Sequence, residues 1–393
     1  MASGTMSAPS HAPPSEEPAV GSISLPGLLA SFLKIGALGF GGGMAVIALM
    51  ERELIRRRRL LPADQFLHGV GLGQILGSFA VNASFFVGYR LYGLAGALLS
   101  VTAFLLPSLT LVIALSDLYF QYHRIPALQG AVAGLGPVVI ALILNASWSL
   151  GRRAVRTPLA AVIAAAALAA GVLRVNTVWV LLCAGAAGFL LPGISPHPAP
   201  PAGGPRRTLS LAVWPLAGTP AMLGPIAATF FKIGLVFFGG GFVLLPVLNE
   251  RLVHGLHWLT AREFLDGVAI SNLTPGPIAV LATFAGFRMA GIAGALAATA
   301  ALFAPGMALM AFLSREYEKY HHDRRAQRLL AGVNPAVAGM VAAAAVLLCA
   351  GAMVSWRGWL AGAVALALLG RFRWHPAFVL AAGAALGYAG FLP

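Results

Sequence analysis

The sequence has few charged residues and almost no cysteine. Of its 393 residues only 10% are charged, against about a quarter in an ordinary soluble domain, and 59% are hydrophobic. Its two cysteines, Cys183 and Cys349, both lie in apolar runs, which excludes a disulfide framework, an iron–sulfur cluster and a cysteine-based zinc site. We therefore expect a membrane protein with no metal and no other cofactor.

Carboxylates are scarcer than cations. The 12 Asp and Glu residues are outnumbered by 26 Lys and Arg, and the net charge is +14. Loops beside lipid headgroups account for this charge in a membrane protein, so we expect no nucleic-acid partner. The sequence also lacks a Gly-x-x-x-x-Gly-Lys-Ser/Thr loop, a His-Glu-x-x-His motif and a clear intramembrane Ser/His pair. These absences exclude ATP-driven transport within this chain and argue against an enzyme.

The chain contains two copies of one pattern, 198 positions apart. The first copy has Phe-x-Lys-Ile-Gly at 32–36 and Phe-Gly-Gly-Gly at 40–43, and the second has the same residues at 230–234 and 238–241. A polar stretch rich in Pro and Gly separates the copies, as is typical of a linker. We predict a disordered N-terminal tail over 1–24, a first repeat over 25–193, a cytoplasmic linker over 194–221 and a second repeat over 222–393.

The apolar segments predict an all-α polytopic membrane protein of about ten transmembrane helices plus two re-entrant hairpins, arranged as two inverted repeats. The hairpins are expected over 64–90 and 262–288, because each has a polar start, a Gly/Pro/Ser/Asn interruption and legs too short to span. With the N-terminus outside, most Lys and Arg fall in inner loops. Six crossings per half in the same orientation is the alternative if each hairpin spans. The expected crossings are 26–50, 91–116, 127–150, 158–173, 176–192, 222–248, 291–313, 329–354, 358–370 and 374–391.

Two lysines are expected inside the membrane. Lys34 and Lys232 each lie about ten residues into the first crossing of their half, hence about 15 Å deep. An intramembrane cation needs a partner, and no carboxylate is expected at that depth. We therefore predict that a transported anion binds there. The alternative is that each lysine snorkels or bonds to carbonyls freed by the nearby glycines.

Backbone groups at helix breaks are the second expected component of an anion site. The glycine runs at 41–43 and 239–241 interrupt the first crossings and free N–H groups, although close helix packing would also explain them. The second hairpin turns at Asn-Leu-Thr-Pro-Gly-Pro, where Thr274 is expected to cap the exiting leg. A purely structural turn is the alternative.

Charged residues at the hairpins complete the set. Arg288 would face outward against the positive-inside rule, which suggests an anion gate or an ion pair. Asp266 is a candidate for carrying a coupling proton, and a solvated carboxylate at a helix end is the alternative. The predicted substrate-binding residues are Lys34, Gly41, Gly42, Gly43, Gln74, Asn82, Arg90, Lys232, Gly239, Gly240, Gly241, Asn272, Thr274, Pro275, Gly276, Pro277 and Arg288.

These motifs together resemble the chromate ion transporter family in its long, two-domain form. The resemblance covers the chain from about Leu28 to Phe391 and rests on the paired Phe-x-Lys-x-Gly and Phe-Gly-Gly-Gly motifs, the Asn-x-Thr-Pro-Gly-Pro turn and the two Gly-Tyr/Phe-Arg sequences. The first half departs from the family pattern, because Leu76, Gly77, Ser78 and Phe79 stand where Pro-Gly-Pro is expected.

The resemblance implies a secondary transporter of the bacterial inner membrane. It would export chromate, confer chromate resistance and draw on an ion gradient or the membrane potential. The expected partners are a chromate or sulfate dianion and the lipid bilayer, and a homodimer is compatible with them. A sulfate or general oxyanion transporter is the alternative. A lipid-processing enzyme would need a nucleophile or metal at depth, and a scaffold would need no buried lysine.

Overall fold

The computed structural model describes residues 23–39, 43–63, 65–66, 69–70, 73, 77–122, 126–173, 175, 177–190, 220–237, 244–315, 324–353, 355–372 and 374–391. The predicted tail and linker lie outside the described residues apart from the last two positions of each. Their disorder, and the boundaries of the two repeats, therefore stay predictions.

Every regular element in this described part of the chain is a helix. The first half contains α1 (Leu25–Leu38), α2 (Gly43–Met50), α3 (Phe79–Tyr122), α4 (Pro126–Ala154), α5 (Pro158–Val172) and α6 (Thr177–Leu190). The second half contains α7 (Pro220–Leu235), α8 (Leu244–Leu248), α9 (Ala261–Leu273), α10 (Leu281–Arg315), α11 (Arg324–Ala352), α12 (Trp356–Gly370) and α13 (Pro376–Tyr388). A first π segment (Glu51–Arg57) follows α2, and a second π segment (Asn249–Gly255) follows α8.

Local sequence explains where several of these helices begin. Ser24, Thr157 and Ser355 precede α1, α5 and α12, and the side chain of each accepts a hydrogen bond from a backbone N–H of the first turn. Thr260 and Glu263 form a reciprocal capping box at the start of α9. These polar residues therefore lie at helix ends. The helix interiors are apolar, which suits them to burial or to contact with lipid.

The protein is an all-α membrane protein, as predicted. Four helical stretches are long and apolar enough to cross a bilayer: Ala80–Tyr122, Gly130–Arg152, Ile278–Ser314 and Gly332–Cys349. The other apolar helices that the structure describes have at most 17 residues. The number of ten crossings therefore stays a prediction, as does the inverted orientation of the halves.

The described residues of both expected hairpins fold back on themselves, and each segment leads into a long helix across a sharp kink; their re-entrant position in the membrane stays a prediction. The backbone leaves helical geometry at Tyr92 and Gly93 within α3 and at Ala290 and Gly291 within α10. In the second hairpin, α9 packs beside the start of α10, where Gly267 lies against Phe284. Gly69 and Phe86 make the corresponding contact in the first hairpin. Contacts between residues 17 positions apart require the two legs to run side by side.

The two halves interlock through their later helices. Helix α4 of the first half packs against α12 and α13 of the second half, and α11 packs against α5 and α6. The two central helices of this arrangement, α4 and α11, also touch, and the hydroxyl of Ser147 donates to the carbonyl of Ala338 (2.9 Å). Each half therefore completes the packing of the other.

Within each half, the first helix lies directly on the long helix that follows its hairpin. Gly36 of α1 packs against the backbone carbonyl of Phe104, and Gly234 of α7 packs against that of Leu302. A side chain at either glycine would overlap that carbonyl oxygen, so the helices could not stay so close.

We expect Gly234→Ala to lower the stability of the protein by about 1–3 kcal/mol, because the added methyl group must push α7 away from α10. Gly224→Ala is the matched control, since it lies in the same helix with no atom within 4 Å of an added Cβ. That change should be neutral or stabilise by up to about 1 kcal/mol. Thermal unfolding of the detergent-purified protein measures both, and equal midpoints would contradict the packing described.

Candidate functional site

The turn of each hairpin lies against the helix break of the opposite half. The backbone N–H of Gly276 donates to the carbonyl of Gly39 (3.0 Å). Gly39 is the C-cap residue that directly follows α1. In the corresponding contact, Gly77 of the first hairpin packs against the carbonyl of Phe237 just after α7. Gly39 and Phe237, which precede the two glycine runs, are therefore each held against a hairpin turn of the opposite half.

Both turn positions require glycine. Gly77 has φ of 101° and Gly276 has φ of 106°, a backbone region that residues with a Cβ rarely enter. Gly276 also faces the hydroxyl of Ser108, which donates to the carbonyl of Pro275. Ser108 lies on α3, so a helix of the first half holds the second hairpin turn in place.

The polar side chains of the second turn are used within its own hairpin. Thr274 donates through its hydroxyl to the carbonyl of Ser271 (3.1 Å), and Asn272 donates to that of Val268 (2.8 Å). The expectation that Thr274 caps the exiting leg is wrong, because it instead ends α9. The short 3₁₀ turn Ile278–Val280 begins after Pro277 without a side-chain cap.

The remaining predicted backbone and amide positions are only partly described. Gly43 begins α2, and the buried amide of Asn82 lies 3.5 Å from the carbonyl of Gly73. The others lie outside the described residues: Gly41, Gly42, Gln74, Gly239, Gly240 and Gly241.

Lys34 is paired with a carboxylate of the protein, which the sequence did not lead us to expect. Its ammonium group lies 3.2 Å from Glu53, and its side chain is half-exposed. Glu53 is buried and also accepts from Arg57 and Arg58 (both 3.4 Å). A straight helix would separate residues 34 and 53 by about 28 Å, so α2 and the first π segment must run back beside α1. Two legs therefore replace the continuous crossing expected over 26–50.

The cations around Glu53 set its protonation. Burial would raise the pKa of this carboxyl, but hydrogen bonds from Lys34 and Arg58 and the nearby charges outweigh it and hold the pKa below its usual value. Glu53 is therefore an anion at neutral pH. It supplies Lys34 with the negative partner that we had assigned to a transported ion.

Lys232 has a different environment from Lys34. It lines a cavity of about 570 Å³ together with Thr229, Asn249 and Arg251, and we call this space the Lys232 cavity. Among the residues that the structure describes, no carboxylate is within ion-pair distance of Lys232. Lys232 is exposed, so an unpaired lysine is present in the described part of the second half, and its depth in the membrane and its contact with an anion stay predictions.

The two arginines at the hairpin ends contact the starts of their own hairpins. Arg288 is paired with Glu263 (3.0 Å) and lies over the ring of Phe120, 5.4 Å from its centroid. Arg90 lies beside Gln65, whose amide oxygen accepts from Nε (3.2 Å) when the amide is oriented by its hydrogen bonds. The ion-pair explanation for an outward-facing Arg288 therefore fits the geometry.

Asp266 is enclosed rather than solvated. Only 4% of the residue is exposed, and its carboxylate accepts a hydrogen bond from the hydroxyl of Tyr119 (2.7 Å). Tyr119 stands near the end of α3, so this bond joins the first half to the second hairpin. The nearest charged residues on its own helix are Arg262 and Glu263, and no group of three metal-binding side chains occurs in the described part of the chain.

Comparison with known proteins identifies the family. A family model described as chromate transporter matches residues 27–189 and again 225–388. The chain belongs to the chromate transporter family. It is 33% identical to a probable chromate transport protein of Synechococcus elongatus over 83% of this chain and 84% of that protein. It is 30% identical to a chromate transport protein of Cupriavidus metallidurans over 91% of each, and 32% identical to one of Pseudomonas aeruginosa over 82% of this chain and 80% of that protein. No solved structure matches the chain.

Membership of the chromate transporter family settles the broad class of the protein. It is a multi-pass membrane transport protein and not an enzyme. Both family matches contain one lysine of the pair, one glycine break and one hairpin, so the contacts above lie within the two matched regions.

Several residues at these sites were not predicted from the sequence. Glu53 and Tyr119 lie 19 and 147 positions from their partners, and no helical spacing links such residues. Alignment of the repeats offered a clue to the first, because it sets Glu53 against Arg251. Nothing in the sequence indicated the second.

We expect Glu53→Gln to lower stability by about 1–3 kcal/mol, because three cations lose a charged acceptor. Glu51→Gln is the matched control. Glu51 lies in the same π segment, but its one ion pair among the described residues is with exposed Arg56 at 2.7 Å, and its loss should cost less than about 1 kcal/mol. Thermal unfolding of the purified variants compares them. A Glu53 variant as stable as the Glu51 variant would count against the ion-pair cluster.

Proposed function

We propose that the protein is a secondary transporter that exports chromate across the bacterial inner membrane and thereby confers chromate resistance. The observation that carries the proposal is the double match to the chromate transporter family together with relatives of that name over most of their length. The driving force is an ion gradient or the membrane potential, since the sequence has no nucleotide-binding loop.

The substrate-binding region in this proposal comprises Lys232, the glycine breaks and the two hairpin turns. Backbone N–H groups at broken helices are suited to an oxyanion because they carry partial positive charge and point in one direction. The contact between Gly276 and Gly39 supports a shared region, since it links a turn of one half to a break of the other. Lys34 would contribute only through its ion pair with Glu53.

Alternating access would arise from rocking of the two halves, whose inverted orientation is part of the proposal. Contacts that join the halves must then change during the cycle. Two of them involve α3 and the second hairpin: the bond from Ser108 to Pro275 and the bond from Tyr119 to Asp266. The first holds the turn and the second holds the entering leg.

Asp266 is the residue that we assign to proton coupling. A carboxylate with one hydroxyl partner can take up a proton when that partner withdraws, because the neutral form is favoured in an enclosed site. Arg262 and Glu263 on the same helix and Arg288 opposite are the charged groups around it, and Glu263 is already paired with Arg288. The first half has His68 at the corresponding position, so the carboxylate is specific to the second half.

The function is tested by uptake of labelled chromate into everted membrane vesicles carrying the protein. Everted vesicles convert export into accumulation, so respiration should drive uptake that an uncoupler abolishes and that excess sulfate inhibits. Vesicles without the protein give the background. Uptake of sulfate with no uptake of chromate would favour the general oxyanion alternative, and failure to move either anion in everted or right-side-out vesicles would refute the proposal.

We expect Asp266→Asn to abolish proton-driven accumulation while exchange of internal for external chromate continues, because exchange needs no net proton movement. Tyr119→Phe should shift the pH dependence of accumulation and leave transport in place. Asp117→Asn is the matched control, since Asp117 is an exposed carboxylate two positions from Tyr119. Full accumulation by the Asp266 variant would remove this residue from the coupling mechanism.

A further inference from the structure

Corresponding positions of the two π segments carry opposite charges. Glu53 in the first segment aligns with Arg251 in the second, and Lys34 aligns with Lys232. In the first half, the carboxylate of Glu53 lies against the lysine at 3.2 Å and draws in two arginines. In the second half, a cation replaces that carboxylate. The same backbone framework therefore holds an internal anion in one half and two cations in the other.

The Lys232 cavity lies beside Arg251, at the position that corresponds to the carboxylate of Glu53 in the first half. Lys232 comes from α7, and Arg251 comes from the second π segment. Glu250 and His254 also line the cavity, and each has an interaction of its own. Two cations against one carboxylate leave the wall positive even with neutral histidine. The volume of about 570 Å³ holds a tetrahedral oxyanion with several waters, since one water takes about 30 Å³ in the liquid.

A buried polar group in the cavity wall is left without a partner. Asn249 is 4% exposed, and its amide oxygen has no hydrogen-bond partner among the described residues. An unsatisfied buried acceptor is costly, which indicates a site completed by a bound group. The hydroxyl of a hydrogen oxyanion, or a water bound beside a dianion, donates to such an oxygen.

Both halves form the walls of the cavity. Gly171 and Val175 of the first half line it together with Met340 and Ala343 of the second half, and Gly171 packs directly against Met340 and Ala343. These residues come from the end of α5 and from α11, two helices that pack together in the interlocked arrangement. Relative movement of the halves therefore changes the shape of the cavity.

We propose that the Lys232 cavity binds one tetrahedral oxyanion per chain through Lys232, Arg251 and Asn249, and that Glu53 fills the equivalent position in the first half. This inference rests on the proposed function and narrows its substrate-binding region to the surroundings of Lys232, since no described residue of the hairpin turns lines the cavity. The ligand chemistry is a dianion such as chromate or sulfate. The protein has one such site because the first half supplies its own carboxylate.

The test is binding of labelled chromate to the purified full-length protein in lipid nanodiscs, with sulfate as competitor. Arg251→Glu recreates the first-half arrangement beside Lys232 and should weaken binding about a hundredfold or more. Asn249→Ala adds no charge and should weaken it about fivefold to tenfold. Arg371→Glu is the control, because it makes the same charge change at an exposed position outside the cavity. Thermal unfolding verifies that each variant is folded.

The outcomes separate the site from the function. One chromate bound per wild-type chain, lost in the two cavity variants and kept in the control, supports the site. Chromate transport by the wild type with unchanged binding in folded Arg251 and Asn249 variants overturns the site and leaves the function standing. Two equivalent anions per chain also overturn it. A wild type that neither binds nor transports chromate or sulfate refutes the proposed function itself.

Discussion

The structure depends on the requirement that backbone polar groups inside a membrane find partners. A helix broken by glycine leaves N–H and carbonyl groups that lipid cannot satisfy. Here the carbonyl of Gly39, at the end of α1, accepts from Gly276 in the hairpin turn of the other half. Ser108 holds this hairpin turn through a hydrogen bond to the carbonyl of Pro275. The opposite half thus satisfies a carbonyl at the end of α1, and this contact joins the two halves at the hairpin turn.

The two halves share a repeated sequence pattern but differ in the charged residues at corresponding positions. The first half neutralises its lysine with Glu53, whereas the second places Arg251 in that position and leaves a cavity beside Lys232. The hairpins show the reverse contrast, because the second half pairs Arg288 with the carboxylate of Glu263, whereas the first half has the uncharged Gln65 beside Arg90. In the proposed mechanism, the first half has the structural role at Lys34, and the second half carries the groups that respond to an anion and to a proton.

The sequence predicted the features that depend on local pattern. Apolar runs predicted an all-α membrane protein, and polar interruptions located both hairpins, since their signals lie within about 30 residues. It missed features created by chain reversal. Glu53 meets Lys34 because the first π segment runs back beside α1, and Asp266 meets Tyr119 because α3 packs against the other half. Thr274 was assigned to the wrong helix end, because its hydroxyl can cap in either direction.

The interlocked packing of the later helices has a consequence for biosynthesis. Helix α4 leaves the ribosome early, but its packing partners α12 and α13 end at residues 370 and 388, more than 200 positions later. At roughly 5–20 residues per second, synthesis of that interval takes about ten to fifty seconds. During that time α4 lies in the bilayer, and the face that will pack against α12 and α13 is exposed to lipid or to the insertion machinery. The glycine-rich surfaces that later join the halves must therefore remain in the membrane without their final packing partners until the last helices have been made.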